Sequence, residues 1–295
     1  RKAYQGRMKG MNELLNLQQL DAFSFAEKLG PAFQNSIFKN LRSGLDHKIQ
    51  MLQEASAAME QAAEQLPGKR MRDKLKALSG EQANTTIFTL ENGTQIRLTT
   101  GQIMELYLLN QREAGRRHIY RGGITVEEYT AGRRKVKKQS RKQVSEADID
   151  AITEMLTPAQ KRFAEMLQHF CVTTGSEWGN RVSLSLWGIK KFTEQRYWPI
   201  RVDNNTLETN TMPADASSIA RLKNIGMSQS TNPGADNALI LGDVIDTYIR
   251  HMDDMTSYAA YVLPLEDAQR WLNYHGEDGT TMKESVEKAL GRGGV

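Results

Sequence analysis

TTGQIMELYLLNQREAGRRHI, residues 99–119, decides the fold class. Thr99 followed by Gln102 is a capping box: the hydroxyl and the amide each satisfy a backbone N–H or its reciprocal at the open first turn of a helix. Ile103, Met104, Leu106, Tyr107, Leu108 and Leu109 then follow almost without interruption. A helix apolar on nearly every side has to be buried, so other elements wrap it. Its second half turns polar, with Gln111, Arg112, Glu113, Arg116, Arg117 and His118, and one rod is expected to run from core to surface. Glu105 sits inside the apolar run. It is expected to be partly buried, structural, and in need of a basic partner such as an arginine from elsewhere in the chain.

The flanks are helical too. Residues 8–29 place Met8, Met11, Leu14, Leu15, Leu17 and Leu20 near helical spacing, and Gly30-Pro31 ends that helix and starts the next. Over residues 31–66, Leu45, Ile49, Leu52, Ser56, Met59, Ala63 and Leu66 recur in alternating steps of four and three. That heptad seam predicts a long helix packed back on the first as a hairpin, with an intermolecular coiled coil as the alternative. Pro67-Gly68 breaks it, and a short basic helix follows over 70–78. Residues 85–98, TTIFTLENGTQIRL, predict a β-hairpin about Asn92-Gly93. A two-residue turn there sets Ile87 opposite Leu98 and Thr89 opposite Ile96. Ser145 with Asp148, Thr157 with Gln160 behind Pro158, and Thr281 with Glu284 each start a further helix. Phe163, Met166, Leu167, Phe170 and Cys171 give the second of these its buried stripe. Trp178, Trp187, Phe192, Tyr197 and Trp198 crowd residues 176–200 and read as packed core or a covering flap rather than a ligand cleft. Residues 215–225 read as a short helix between polar loops. Val244, Ile245, Tyr248, Met252, Met255, Ala259 and Val262 predict an amphipathic helix that Pro264 stops, with a short helix after it.

The fold class is therefore mainly α: an irregular multi-helix domain with a long helical hairpin and one small β-hairpin. Residues 1–80 are expected to form the N-terminal helical hairpin. Residues 81–295 form a helical core carrying the β-hairpin 86–98 and a basic, exposed excursion at 120–143.

Charge is unevenly placed. The net charge of the 295 residues is only +4, yet residues 112–142 hold eleven Lys/Arg against three Glu, a local +8 that leaves −4 for the rest. A basic segment on a mildly acidic body points to an anionic partner more than the total does. Phosphates call for Lys and Arg held where they release counterions, and the interleaved Tyr120 and Tyr129 offer stacking faces. The candidate nucleic-acid-binding residues are Arg116, Arg117, Arg121, Arg133, Arg134, Lys135, Lys137, Lys138, Arg141 and Lys142. The plain alternative is a solvated loop. No apolar run is long enough to span a bilayer and no signal peptide opens the chain, so no membrane partner is expected. The single cysteine, Cys171, excludes an intrachain disulfide. The first residue is not Met and the last residues trail from a helical pattern, so a fragment of a longer polypeptide is expected.

Catalytic signatures are missing: there is no phosphate-binding GxxxxGK[ST] loop, no GxGxxG, no GxSxG and no HExxH. His251 with Asp253 and Asp254 resembles a metal corner but reads better as a solvated helix face. Cys171 and His169, two apart on a helix, do not face each other, and Cys171 reads as a packing residue. No catalytic residue, metal ligand or cofactor is assigned.

The runs LTTGQIMELYLLNQREAGRRHIYRGGI (98–124), EMLTPAQKRFAEMLQHF (154–170) and WGNRVSLSLWGIKKFTEQRYWPI (178–200) resemble modules of the very large polyvalent proteins of bacteriophages, prophages and conjugative elements. IDTYIRHMDDMTSYAAYVLPLEDAQRWLNY (245–274) and NLQQLDAFSFAEKLGPAF (16–33) fit the same pattern. In such proteins, regions of this kind lie among methylase, helicase and ADP-ribosyltransferase units. The resemblance implies delivery into a host cell with phage or plasmid DNA, a place in the bacterial host cytoplasm with virion association, and other domains of a parent polypeptide as neighbours. It carries no catalytic residues.

The reading is a non-catalytic helical module of a large phage or mobile-element protein that contacts DNA, RNA or a host protein through its basic segment. One alternative is an enzyme whose site is assembled from scattered residues, such as Arg112, Arg116, His118 and the aromatics between Trp178 and Trp198. The other is an inhibitor of a host defence protein.

Overall fold

The computed structural model describes residue 31 and residues 34–128, 139–202 and 237–284. Its helices are α1 (Lys39–Ala63), α2 (Met71–Lys76), α3 (Thr100–Asn110), α4 (Glu113–Arg117), α5 (Glu146–Glu154), α6 (Pro158–Phe170), α7 (Ser176–Trp187) and α8 (Val244–Leu272). Its strands are β1 (Thr85–Thr89), β2 (Gln95–Thr99), β3 (Ile124–Glu128), β4 (Gln139–Lys142) and β5 (Leu239–Ile240). The chain is mainly α, as its periodicity predicts. The helices expected over 8–29 and 215–225 lie outside the described residues.

Two compact units divide the chain: one joins residues up to Lys48 with those from Ala260 onward, and the other is Ile49–Ala259. In the second unit the core forms around α3. Gln102 N donates to Thr99 Oγ1 at 3.1 Å and Thr99 N donates to Gln102 Oε1 at 2.9 Å, so the capping box closes as the sequence predicts. Ile103, Met104, Leu106, Leu108 and Leu109 are buried, and α3 packs against α5 and α6. Those two helices start at the predicted capping boxes of Ser145 and Thr157. Asp148, closing the first box, also accepts the Glu91 N–H at 2.8 Å and ties the β-hairpin to α5. Residues 158–187 then run as α6, a π-helical turn (Cys171–Gly175) and α7.

The single rod expected over 99–119 is broken. Arg112 is extended (φ −116°, ψ 137°) between α3 and α4, and a π-helical turn, His118–Gly122, follows. The break brings the Tyr120 hydroxyl within 2.9 Å of Asn110 Oδ1. On a straight helix ten residues separate groups by about 15 Å, which forbids that bond.

The hairpin is present, but its register is one residue from the expected one. Thr86 faces Leu98, Ile87 faces Arg97 and Phe88 faces Ile96. The turn holds three residues, not two: Gly93 N donates to Leu90 O at 2.8 Å, Leu90 N to Thr94 O at 2.9 Å, and Gly93 is left-handed (φ 79°). Because side chains alternate faces, the shift turns Ile87 outward and leaves Ile96 and Leu98 buried. The hairpin also continues into a larger sheet. β3 pairs along one edge with β4, and its other edge is shared by antiparallel β2, at Glu127 and Glu128, and parallel β5, at Ile124 and Thr125. Both ends of the stretch expected to be an exposed excursion are thus strands. Ile124 and Val126 point into the core, whereas Gln139–Lys142 has no apolar residue and is a strand only by pairing.

The heptad seam of α1 is rotated over part of its length. Within the second unit Ala55, Ala62, Ala63 and Leu66 are buried, while Ile49 and Ser56 are exposed. Small alanines let the backbone approach, and Tyr248 donates its hydroxyl to Ala55 O at 2.9 Å. In the first unit, Pro264 lies inside α8 rather than ending it. Proline leaves the Ala260 carbonyl without its intrahelical amide. That carbonyl faces Gly44, where a Cβ would come within 2.8 Å. Among the described residues no helix is long and apolar enough to cross a membrane.

Candidate nucleic-acid interface

The described part of the basic segment forms a shallow groove of about 420 Å³ lined by Gln111, Glu113, Arg116, Arg117, Tyr120 and Arg121. Local structure places them. α4 begins with Glu113 and ends with Arg116 and Arg117, the charge order its helix dipole favours. Ala114, Gly115, His118, Ile119 and Gly122 turn inward, which leaves Arg116 and Arg121 exposed and Arg117 half-buried with its Nε enclosed. His118 Nδ1 lies 3.5 Å from the Asn237 carbonyl and is committed to the inner side.

Much of the charge is already engaged. Arg116 pairs with Glu146 at 2.5 Å, and its guanidinium sits 5.8 Å from the centre of the Tyr120 ring. Burial raises the Tyr120 phenol above its ordinary value, with Arg116 opposing. Arg117 Nε lies 3.8 Å from Glu113 Oε1, beyond hydrogen-bonding reach. Arg141, on β4, donates from Nη2 to the Arg121 carbonyl at 3.3 Å, while the Arg121 side chain has no ion pair among the described residues. Ion pairs this exposed contribute about 0–1 kcal/mol each, so a phosphate can displace their carboxylates at little cost.

Of the ten residues read from the sequence, Arg116, Arg117 and Arg121 line the groove, and Arg141 braces it from β4 beside Lys142. Arg133, Arg134, Lys135, Lys137 and Lys138 lie outside the described residues. The β3–β4 ladder pairs Ile124 with Lys142 and Glu127 with Gln139.

Of the residues of the scattered-enzyme reading, the groove described above is lined by Arg116 alone. Arg112 pairs with Glu194 at 3.3 Å and stacks 5.5 Å from the Tyr197 ring centre, outside the groove that contains Arg116. Trp178, Tyr197 and Trp198 are buried in packing, as expected, but Trp187 is exposed. Cys171 is buried, as expected of a packing residue, and burial raises its thiol. His251 departs from the solvated face read for it: it is buried beside Tyr197, ring centres 5.2 Å apart, and burial lowers its pKa to about 4. No group of three or more metal-ligating side chains occurs among the described residues.

The arginine charge expected for Glu105 is that of Arg201, but a second carboxylate, Asp243, acts on it as well. Glu105 is fully buried, and its nearest hydrogen-bond partner is a hydroxyl: Thr247 Oγ1 donates to Oε2 at 2.9 Å, while Oε1 has no partner among the described residues. Burial raises its carboxyl to about 8, and the charge of Asp243 adds to the rise. Asp243 caps α8, with Oδ1 accepting the Ile245 N–H at 3.0 Å. Its Oδ2 lies where a Cβ on Gly101 would come within 2.1 Å, so any larger residue at the first turn of α3 would have to displace the Asp243 carboxylate. Burial raises the Asp243 carboxyl to about 6. The Gly-Asp step at 242–243 before an apolar helix was a readable cap; that it meets Glu105, 138 positions earlier, was not.

Compared with family models, curated proteins and solved structures, the chain matches none of them significantly.

Proposed function

We propose that this chain is a helical, non-catalytic module of a large phage or mobile-element protein that engages nucleic acid through its basic segment, in the bacterial host cytoplasm and in association with the virion. The supporting observation is the groove carrying Arg116, Arg117 and Arg121 around Tyr120, braced by Arg141. Exposed guanidinium groups meet phosphates, and the partly covered Tyr120 ring supplies an apolar wall. The sequence holds five further cations between Arg133 and Lys138, which add to the local positive charge a polyanion would meet.

The test is binding of the chain to labelled single- and double-stranded DNA and RNA across a salt series. Affinity should fall linearly in log affinity against log salt, and the slope should shrink by about one for each phosphate-contacting residue removed. Arg116→Ala with Arg121→Ala is expected to weaken binding to all sequences alike. Changing Arg133, Arg134, Lys135, Lys137 and Lys138 together to Ala should reduce it further. Absence of binding at low salt, or affinity untouched by both sets, overturns the proposal.

A further inference from the structure

A second surface, on α7 and the loop after it, has no place in the nucleic-acid reading. Leu184 is 43% exposed, Trp187 39% and Ile189 59%, three large apolar side chains within six residues. Leu184 and Trp187, three apart, lie on one helix face. The loop is held in place. Gly188 turns left-handed (φ 69°) to end the helix. Lys191 N then donates to Ser183 Oγ at 3.3 Å, and Asn180 clamps both the N–H and the carbonyl of Phe192, at 2.9 and 2.8 Å. Residues 189–192 are thereby folded back along α7, with the Phe192 ring anchored 5.5 Å from that of Tyr258.

Beside this patch runs a groove of about 350 Å³, with Val172, Leu184 and Phe192 as its apolar lining and Arg181 and Lys190 as its cations. Its one carboxylate, Glu177, is engaged with Arg181 at 2.6 Å. Lys191 stacks over Trp187, its Nζ 3.2 Å from the ring centre, and neither Lys190 nor Lys191 has a carboxylate partner among the described residues. Unpaired lysines around exposed apolar side chains complement a partner that is both acidic and apolar.

We propose that this surface docks an acidic peptide segment with a bulky aliphatic or aromatic anchor: the anchor enters between Leu184, Phe192 and Trp187, and its carboxylates meet Lys190 and Lys191. A polypeptide fits better than a nucleic-acid strand. The sugar-phosphate backbone gains nothing by covering Leu184 and Ile189, and Lys191 already occupies one face of the Trp187 ring. The preset loop lowers the ordering cost of association, and tryptophan is a frequent energetic centre of interfaces.

The experiment selects binders to the full chain from a library of random short peptides and measures the synthetic winners in solution. The selected peptides should be net acidic with a large apolar residue. Trp187→Ala should weaken them about ten-fold or more, and Lys190→Glu with Lys191→Glu should weaken them in a way that extra salt mimics. Arg121→Ala should leave them unchanged. Thermal melts establish that the exposed-site variants remain folded, and the lysine pair gives an independent reading should Trp187→Ala perturb the loop. Selection that yields no binders, binders without an acidic bias, binding indifferent to both sets of changes, or loss of oligonucleotide binding on Trp187→Ala overturns the proposal.

Discussion

Replacing Glu105 by Gln should make the protein more stable, by an amount that grows with pH. The folded state holds this carboxyl at about 8 against an ordinary 4.5. Below the ordinary value both folded and unfolded chains carry the proton, and the full stability is present. As pH rises toward 8 the unfolded chain releases its proton while the folded chain keeps it, so stability is lost progressively and the loss levels off above that point. A shift of this size corresponds to about 5 kcal/mol at its limit. Glutamine has the same shape, keeps an acceptor for the Thr247 hydroxyl and never ionises. Urea denaturation of both proteins between about pH 5 and about pH 9 reads the difference, because the extrapolated free energy follows the linkage. The gap should be small at the acid end and several kcal/mol at the alkaline end. Asp243, raised to about 6, titrates in the lower part of the same window in both proteins. Parallel curves for the two proteins across the whole range would refute the argument, since they would mean that position 105 ionises in the fold as freely as in water.

Two further outcomes follow from the same reasoning. In the hairpin, Ile96→Ala should cost about 2–5 kcal/mol in denaturant melts, whereas Ile87→Thr should stay within about 0.5 kcal/mol; equal costs would restore the two-residue turn. His251 carries the opposite sign to Glu105. Its folded value of about 4 lies below the ordinary 6.5, so its contribution is present above 6.5 and lost as pH falls through 4. His251→Phe, whose ring takes the same packed site, should flatten the acid limb of a stability–pH curve, and an unchanged acid limb would show that the imidazole is not held neutral.

Much of the architecture was legible because it is local. Capping boxes at Thr99, Ser145, Thr157 and Thr281 close as their residue types dictate, since each needs only partners three positions apart. The apolar run after Thr99 is buried because no face of that helix is polar. The basic stretch was visible as a count of charges, and three of its members share one groove.

What the sequence could not settle depends on what each residue meets across the fold. Asn92-Gly93 predicts a turn, but the choice between two and three loop residues lies in which face finds a core. The shift that buries Ile96 and Leu98 exposes Ile87. Gln139–Lys142 has no strand pattern and acquires one from β3. Pro264 should end a helix by its own chemistry, yet α8 continues through it where Gly44 makes room for the freed carbonyl. Glu105 meets Thr247 and Asp243 besides the arginine charge expected for it, that of Arg201, while His251, read as part of a solvated face, is buried. Periodicity and capping act over one turn of chain, so sequence alone determines them. Register, burial of a lone polar residue and the meeting of two carboxylates are set by contacts between distant segments, and only the tertiary structure decides those.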